Sequence, residues 1–313
     1  MPISLRIEQH PKSIVSLSEW EPDAEFPIGP QGGKPKRIFV CPNPPPHPFL
    51  IGGHRYLFKE PSGPRAQQIW SEVIAYELSR DLGVPVPPAF LALGPGNGAP
   101  GVLVEFFYGH PFESETRFVH AIDHLQGLSL PVDFRRGSLK DNITLCRLHR
   151  TPDWRGWWGG TLALDAIIGN TDRHTENWGF LIRPGSPVNY ELAPAFDNGT
   201  SLGHIIREED LQSWMVPAKM RALLARGRHH FGWVSGESDS AQHARLCRVF
   251  CDHVTGGQSA MDDALFLTDN RISRIVQWCC SFDFPLPFTG ARAEFVEMQL
   301  RARRDALTAA LGA

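Results

Sequence analysis

Gly169-Asn170-Thr171-Asp172-Arg173-His174-Thr175-Glu176-Asn177, followed by Ala195-Phe196-Asp197-Asn198-Gly199, holds the densest chemistry in this chain. Asp172 and Asn177 stand five residues apart. A second acid, Asp197, arrives after one hairpin's worth of chain and is followed two residues later by Gly199. One carboxylate suits the orientation of an attacking hydroxyl. The amide and the second carboxylate suit divalent ions held on phosphates. The Asp-x4-Asn string alone is frequent by chance, so its company along the chain decides its meaning.

Asp-x4-Asn is the spacing of a catalytic Asp and a metal-binding Asn in protein kinases. Such an enzyme also needs a Lys on a strand beside the phosphates, held by a Glu from a nearby helix. Lys59 ends the short strand-like run Tyr56-Leu57-Phe58-Lys59, and a helix is predicted over 66–82. Glu72 lies in the first half of that helix and is the favoured partner. Glu77 is the rival, about 140° further round at 100° per residue. The run Gly101–Phe107 reads as an apolar strand leaving into Tyr108-Gly109-His110, a pattern that suits a hinge. There the backbone groups of Glu105 and Phe107 would meet an adenine edge, although an ordinary edge strand has the same pattern. Gly29–Lys36, with Gly32, Gly33 and Lys34, is a small-residue loop able to bring backbone N–H groups and charge over phosphates. It is not a Walker A loop.

The flanking residues support the motif. Two polar turn formers precede Asp172, and strand-like Trp178–Ile182 follows Asn177, which puts the motif on a loop between rigid elements. Arg173 is expected to pair with a nearby carboxylate and His174 to pack beneath the loop. Asp165, on the incoming helix Gly160–Ile168, is expected to bond loop backbone. Val188–Leu192 precedes the second acid as a strand, and Gly199 supplies a residue for the turn.

Outside these pieces the chain changes character near residue 108. Before it come strand-like runs (37–41, 55–59, 86–93, 101–107) and one helix, with a five-proline loop at Pro42–Pro48 that neither a helix nor a central strand accepts. After it, 211–226, 239–254, 258–278 and 290–311 carry helical spacing. The expected fold is α+β and bilobal, with a β-rich lobe over 1–107 and a mainly helical lobe over 108–313. The 313 residues carry a net charge of −3, which gives no electrostatic case for nucleic acid or a membrane surface. No apolar leader and no run of 18 apolar residues occurs, so a cytoplasmic protein is expected. The six Cys show no Cys-x-x-Cys spacing and read as buried free thiols. A metal hydrolase lacks its signature: His120 and His124 are one turn apart but have no His-Glu-x-x-His cluster. His229-His230, beside Arg226 and Arg228, reads as a solvated basic corner. Gly232-Trp233-Val234-Ser235-Gly236 lacks the spacing of a serine nucleophile elbow.

In this order the pieces resemble the HipA-like kinase family over roughly residues 29–205. The matching features are Gly32-Gly33-Lys34-Pro35-Lys36, Lys59, Glu72 ahead of Leu78-Ser79-Arg80-Asp81-Leu82-Gly83, Val104-Glu105-Phe106, Gly169–Asn177 and Pro194-Ala195-Phe196-Asp197. The resemblance implies a protein-kinase-like fold that uses ATP and Mg2+ to phosphorylate protein Ser or Thr. It also implies, for toxin members, an antitoxin-type protein partner. Asp-Arg-His-x-x-Asn is similar to phosphatidylinositol kinases as well, so the string does not choose the acceptor. Gln31 stands where the family loop often carries a phosphorylatable Ser, and the short N-terminal region leaves no room for an extra β subdomain.

The expectation is therefore an ATP-dependent kinase. Asp172 orients the acceptor, Asn177 and Asp197 bind Mg2+, and Lys59 meets the phosphates, steadied by Glu72. A small-molecule or lipid kinase and a nucleotide-binding pseudokinase are the alternatives.

Overall fold

The computed structural model describes residues 7–24, 36–111, 113, 115–128, 137–185, 187–237 and 239–312. The first half of the chain builds a six-stranded sheet. Its strands are β1 (Val15–Ser16), β2 (Glu21–Pro22), β3 (Lys36–Val40), β4 (Arg55–Lys59), β5 (Ala89–Leu93) and β6 (Pro100–Glu105), in the order β1-β5-β6-β4-β3-β2. Among the described strands of this sheet only β1–β5 is a parallel pair. Alternation along the strands gives the sheet two apolar faces. Tyr56, Phe58, Phe90 and Leu103 join Val15, Trp20 and Phe39 in one core, closed by Phe49 and Leu50 after the five-proline loop. Leu91, Val102 and Val104 point the other way, into a much larger core. Gly101 is required where it stands, because a Cβ there would lie 2.4 Å from the Phe58 ring.

Helix α1 (Gln68–Asp81) connects β4 to β5 and is buried from Gln68 to Ser79, on every side. The sheet covers one flank and helices of the second half cover the other. A helix so enclosed must pair any charge it carries, which makes Glu72 and Glu77 informative.

The second half holds a three-stranded antiparallel sheet, β7 (Arg117–His120), β8 (Gly179–Arg183) and β9 (Asn189–Leu192), with β8 central. Around it lie α2 (Ala121–Gly127), α3 (Leu139–Leu148), α4 (Trp154–Ile168), α5 (Leu211–Trp214), α6 (Pro217–Arg226), α7 (His243–His253), α8 (Asp262–Leu265), α9 (Asp269–Cys280) and α10 (Gly290–Leu311). Apolar α4 is the axis, packed against α7 and α10. It ends at Gly169, which takes the left-handed conformation of a helix stop (φ 68°). The larger core is continuous from α1 through α4 to α10.

The periodic segments resolve into shorter pieces than expected. The stretch 211–226 breaks because Pro217 starts a new helix, α6. Within 239–254 the helix proper begins at His243, capped by the Gln242 side chain. The stretch 258–278 divides where Thr268 caps α9. Strands β1, β2 and β7 were not read from the sequence. Two of them are two residues long and carry no period. All six thiols are free, and burial pushes those of Cys41 and Cys146 up to about 12. Among the described residues no helix is long and apolar enough to cross a membrane.

Candidate active site

Lys59, at the end of β4, is the meeting point of three elements. Its Nζ lies 2.6 Å from Glu72 Oε1 on α1 and 2.9 Å from Asp197 Oδ1. The second Glu72 oxygen accepts the Asn198 backbone N–H at 3.1 Å. One carboxylate therefore ties the β4 lysine to the loop that carries Asp197. Burial alone would lower the Lys59 pKa, but Asp197 and Glu72 beside it hold it above the ordinary lysine value. Lys36 adds a second cation 3.8 Å from Asp197 Oδ2. Gly32, Gly33 and Lys34 lie outside the described residues. Glu77 faces elsewhere: it pairs with Arg80 at 2.9 Å, and burial pushes its carboxyl up to about 7 against the pull of that cation.

The loop after α4 is held by its own hydrogen bonds. Asp172 N–H donates to Asn170 Oδ1 at 3.1 Å, and Asn177 Nδ2 donates to the Asp172 carbonyl at 2.6 Å. The Asp172 carboxylate is 40% exposed, whereas Asn177 is buried. Because the Asn177 amide nitrogen is spent closing the loop, its oxygen is the atom left for a ligand. His174 accepts the Glu176 N–H on Nδ1 at 3.2 Å and sets Nε2 3.7 Å from Asp172 Oδ1.

Beneath the loop, Arg173 is fully buried and joins three chain segments. It forks onto Asp165 (Nε to Oδ2 3.1 Å, Nη2 to Oδ1 2.9 Å) and donates to the Asn177 carbonyl at 3.2 Å. It also donates to the Phe196 carbonyl and to Asn198 Oδ1. Both sides of Asp197 are thus fastened. This matters because Asp197 itself, not Gly199, takes the left-handed conformation (φ 58°). A non-glycine residue persists there only when its surroundings enforce it. Asp165 was expected to bond loop backbone. Its carboxylate instead binds side chains: Arg173, Asn170 at 3.1 Å, and His229 at 3.1 Å. Burial would raise its pKa, yet Arg173 and His229 hold it well below the usual carboxylate range.

His229 corrects a second expectation. It is not a solvated corner but a buried ring that donates Nε2–H to Asp165. His243, on α7, donates to the Asn170 carbonyl at 2.7 Å, and burial beside Arg303 pushes its pKa down to about 3. Neither ring carried a sequence signal, since a His near arginines reads the same whether it is exposed or buried. His120 and His124 form no pair. The first packs against Phe118 and Phe196, the second against His149 and Phe180.

At the hinge segment the Glu105 N–H bonds the Pro88 carbonyl at 2.8 Å, and the Phe106 N–H bonds the Arg55 carbonyl at 3.1 Å. The Phe107 ring stacks on Phe196 at 5.3 Å and meets Phe118 edge-on at 5.1 Å. The hinge, β7 and the Asp197 loop therefore share one aromatic cluster.

Residues 32–255 match the HipA-like C-terminal domain family, and the chain belongs to that family. A 38-residue stretch is 50% identical to the serine/threonine-protein kinase CtkA of Helicobacter pylori, covering 12% of this chain and 11% of that protein. The crystal structure of the Helicobacter pylori proinflammatory kinase CtkA superimposes with a TM-score of 0.70 at 18% identity, over 96% of this chain and 99% of that one. HipA of Shewanella oneidensis MR-1, solved with HipB and operator DNA, gives 0.52 at 17% identity, over 90% of this chain and 66% of HipA. At these identities the likeness shows a shared kinase-like α+β fold.

Proposed function

We propose that this chain is an ATP- and Mg2+-dependent kinase that transfers the γ-phosphoryl group to a protein Ser or Thr hydroxyl. One observation carries the reading: a buried lysine from the sheet converges with Glu72 and Asp197, and Arg173 fastens the Asp197 loop to the loop bearing Asp172 and Asn177. The nucleotide would lie in a cleft between lobes 1–107 and 108–313.

The donor set fits the proposed ligands. The Asp197 carboxylate and Asn177 Oδ1 are hard oxygen donors of the kind Mg2+ takes. When bound, the metal would neutralise charge developing on the phosphates. Lys59 supplies a fixed cation to the phosphate groups, and Glu72 holds it in place. From the sequence alone, Gly32, Gly33 and Lys34 are the further candidates for phosphate contact. The Asp172 carboxylate, half exposed at the mouth of the loop, accepts or orients the acceptor hydroxyl. His174 Nε2 limits its rotation from one side. The Glu105 carbonyl and the Phe107 backbone meet the adenine edge. Each group acts by position and charge, with no covalent intermediate.

The test is transfer from γ-labelled ATP in a cell lysate, followed by identification of the product. Labelled Ser or Thr in protein supports the reading; a labelled lipid or metabolite moves the acceptor class. Asp172→Ala should abolish transfer while nucleotide binding persists, and transfer at the wild-type rate in that variant would overturn the assignment. Likeness to HipA, whose solved complex includes HipB, makes an antitoxin-type protein a candidate partner in the cytoplasm, checked by copurification from the native cell.

A further inference from the structure

Behind the hinge lies a group of which the kinase reading uses only the backbone of Glu105. His54 sits in the turn before β4, Glu105 ends β6, and His110 follows on the next loop. One ring nitrogen from each histidine and one carboxylate oxygen all lie within 4.8 Å of one another. His54 and Glu105 are buried; His110 is 29% exposed.

The outer contacts fix which atoms face inward. His54 Nε2 is 2.6 Å from the Phe106 carbonyl, an acceptor, so that nitrogen carries the proton and Nδ1 keeps its lone pair. His110 Nδ1 is 3.2 Å from Glu113 Oε2, so the proton sits there in the neutral ring. Its Nε2 lies 3.3 Å from Glu105 Oε1, where a second ring proton can bridge to the carboxylate and a metal ion would take that proton's place. Metal-binding histidines characteristically donate their other N–H to a backbone carbonyl or a carboxylate. Both outer partners are present here. The two rings stack 4.2 Å apart at 9°.

We propose that His54, Glu105 and His110 form a binding site for a zinc-like divalent ion, with Phe106 and Glu113 as its outer supports. Two imidazoles and a carboxylate suit Zn2+ or Co2+ rather than Mg2+. Seating the ion requires the His110 ring to tilt out of its stack, which a half-exposed loop residue permits. The ion would tie the turn before β4 to the hinge. The site shares only Glu105 with the cleft, so it stands or falls separately from the kinase reading.

Cobalt is the probe. The full chain, stripped with a chelator and held in excess Mg2+ to saturate oxygen-only sites, is titrated with Co2+. The expected result is one equivalent per chain, with visible d–d bands and imidazole scattering in the X-ray absorption spectrum. Those features should disappear in His110→Ala and persist in His253→Ala, which alters an exposed histidine elsewhere. Glu113→Gln should weaken binding on the order of tenfold, and it keeps a readout if His110→Ala misfolds. Absence of the bands in the wild-type chain, or equal binding by His110→Ala and Glu113→Gln, would overturn the proposal.

Discussion

Lys59 and Arg173 do different work, and substitutions separate them. Lys59→Met removes the cation proposed to meet the phosphates and leaves Glu72 and Asp197 without it. Transfer from labelled ATP should fall on the order of 10²-fold or more, the scale of losing one preorganised charge donor, while circular dichroism stays unchanged. Arg173→Met instead strands the buried Asp165 carboxylate. Removing one partner of a buried pair costs roughly 3–5 kcal/mol, so the urea midpoint should drop sharply. A variant with wild-type stability would show that Arg173 is not the tie it appears in the hydrogen-bond network. Lys in its place keeps the charge but lacks the fork that reaches Asp165 and the Asp197 loop together.

Where α4 gives way to the Asp172 loop, Gly169 is irreplaceable on two counts. It holds a positive φ, and a Cβ there would meet the Arg303 guanidinium at 2.5 Å. Gly169→Ala should lose about 1–2 kcal/mol from conformation alone, more with the clash, as read by denaturant titration. The elements that the sequence disclosed are those with a long period or a strong stop. Strand β4 and helix α10 have their expected limits, and Glu72 is favoured over Glu77 by its place in the first half of the helix together with the helix angle. The Lys59–Glu72 contact was legible because both residues sit on regular elements at a known spacing. What stayed hidden arises between distant segments. Neither Asp197 as the left-handed residue nor the support from His229 and His243 has a local signature. The first is imposed by Arg173 from another loop, and the others by burial that only the assembled helices create.

For the molecule as a whole, acid should be the weak side. His243 is pressed from 6.5 to about 3 in the fold. The unfolded chain therefore binds that proton more readily, so stability is intact above about 6.5 and is lost as pH falls toward 3. Asp165, held below its ordinary value, acts in the same sense at lower pH. Thermal midpoints should decline from about pH 7 to about pH 4, and His243→Gln should flatten that decline. An unchanged slope in the variant would assign the acid sensitivity to other groups. The same continuity of core that buries these groups also reaches α1. The Trp70 indole donates to the Leu286 carbonyl at 3.0 Å and is ringed by Phe282, Phe284 and Phe288 from the far end of the chain. Many kinases are switched off by swinging the helix that bears the lysine's glutamate away from its partner. Here that helix is bolted to the opposite half of the protein, so an outward swing would first have to break the Trp70 cluster.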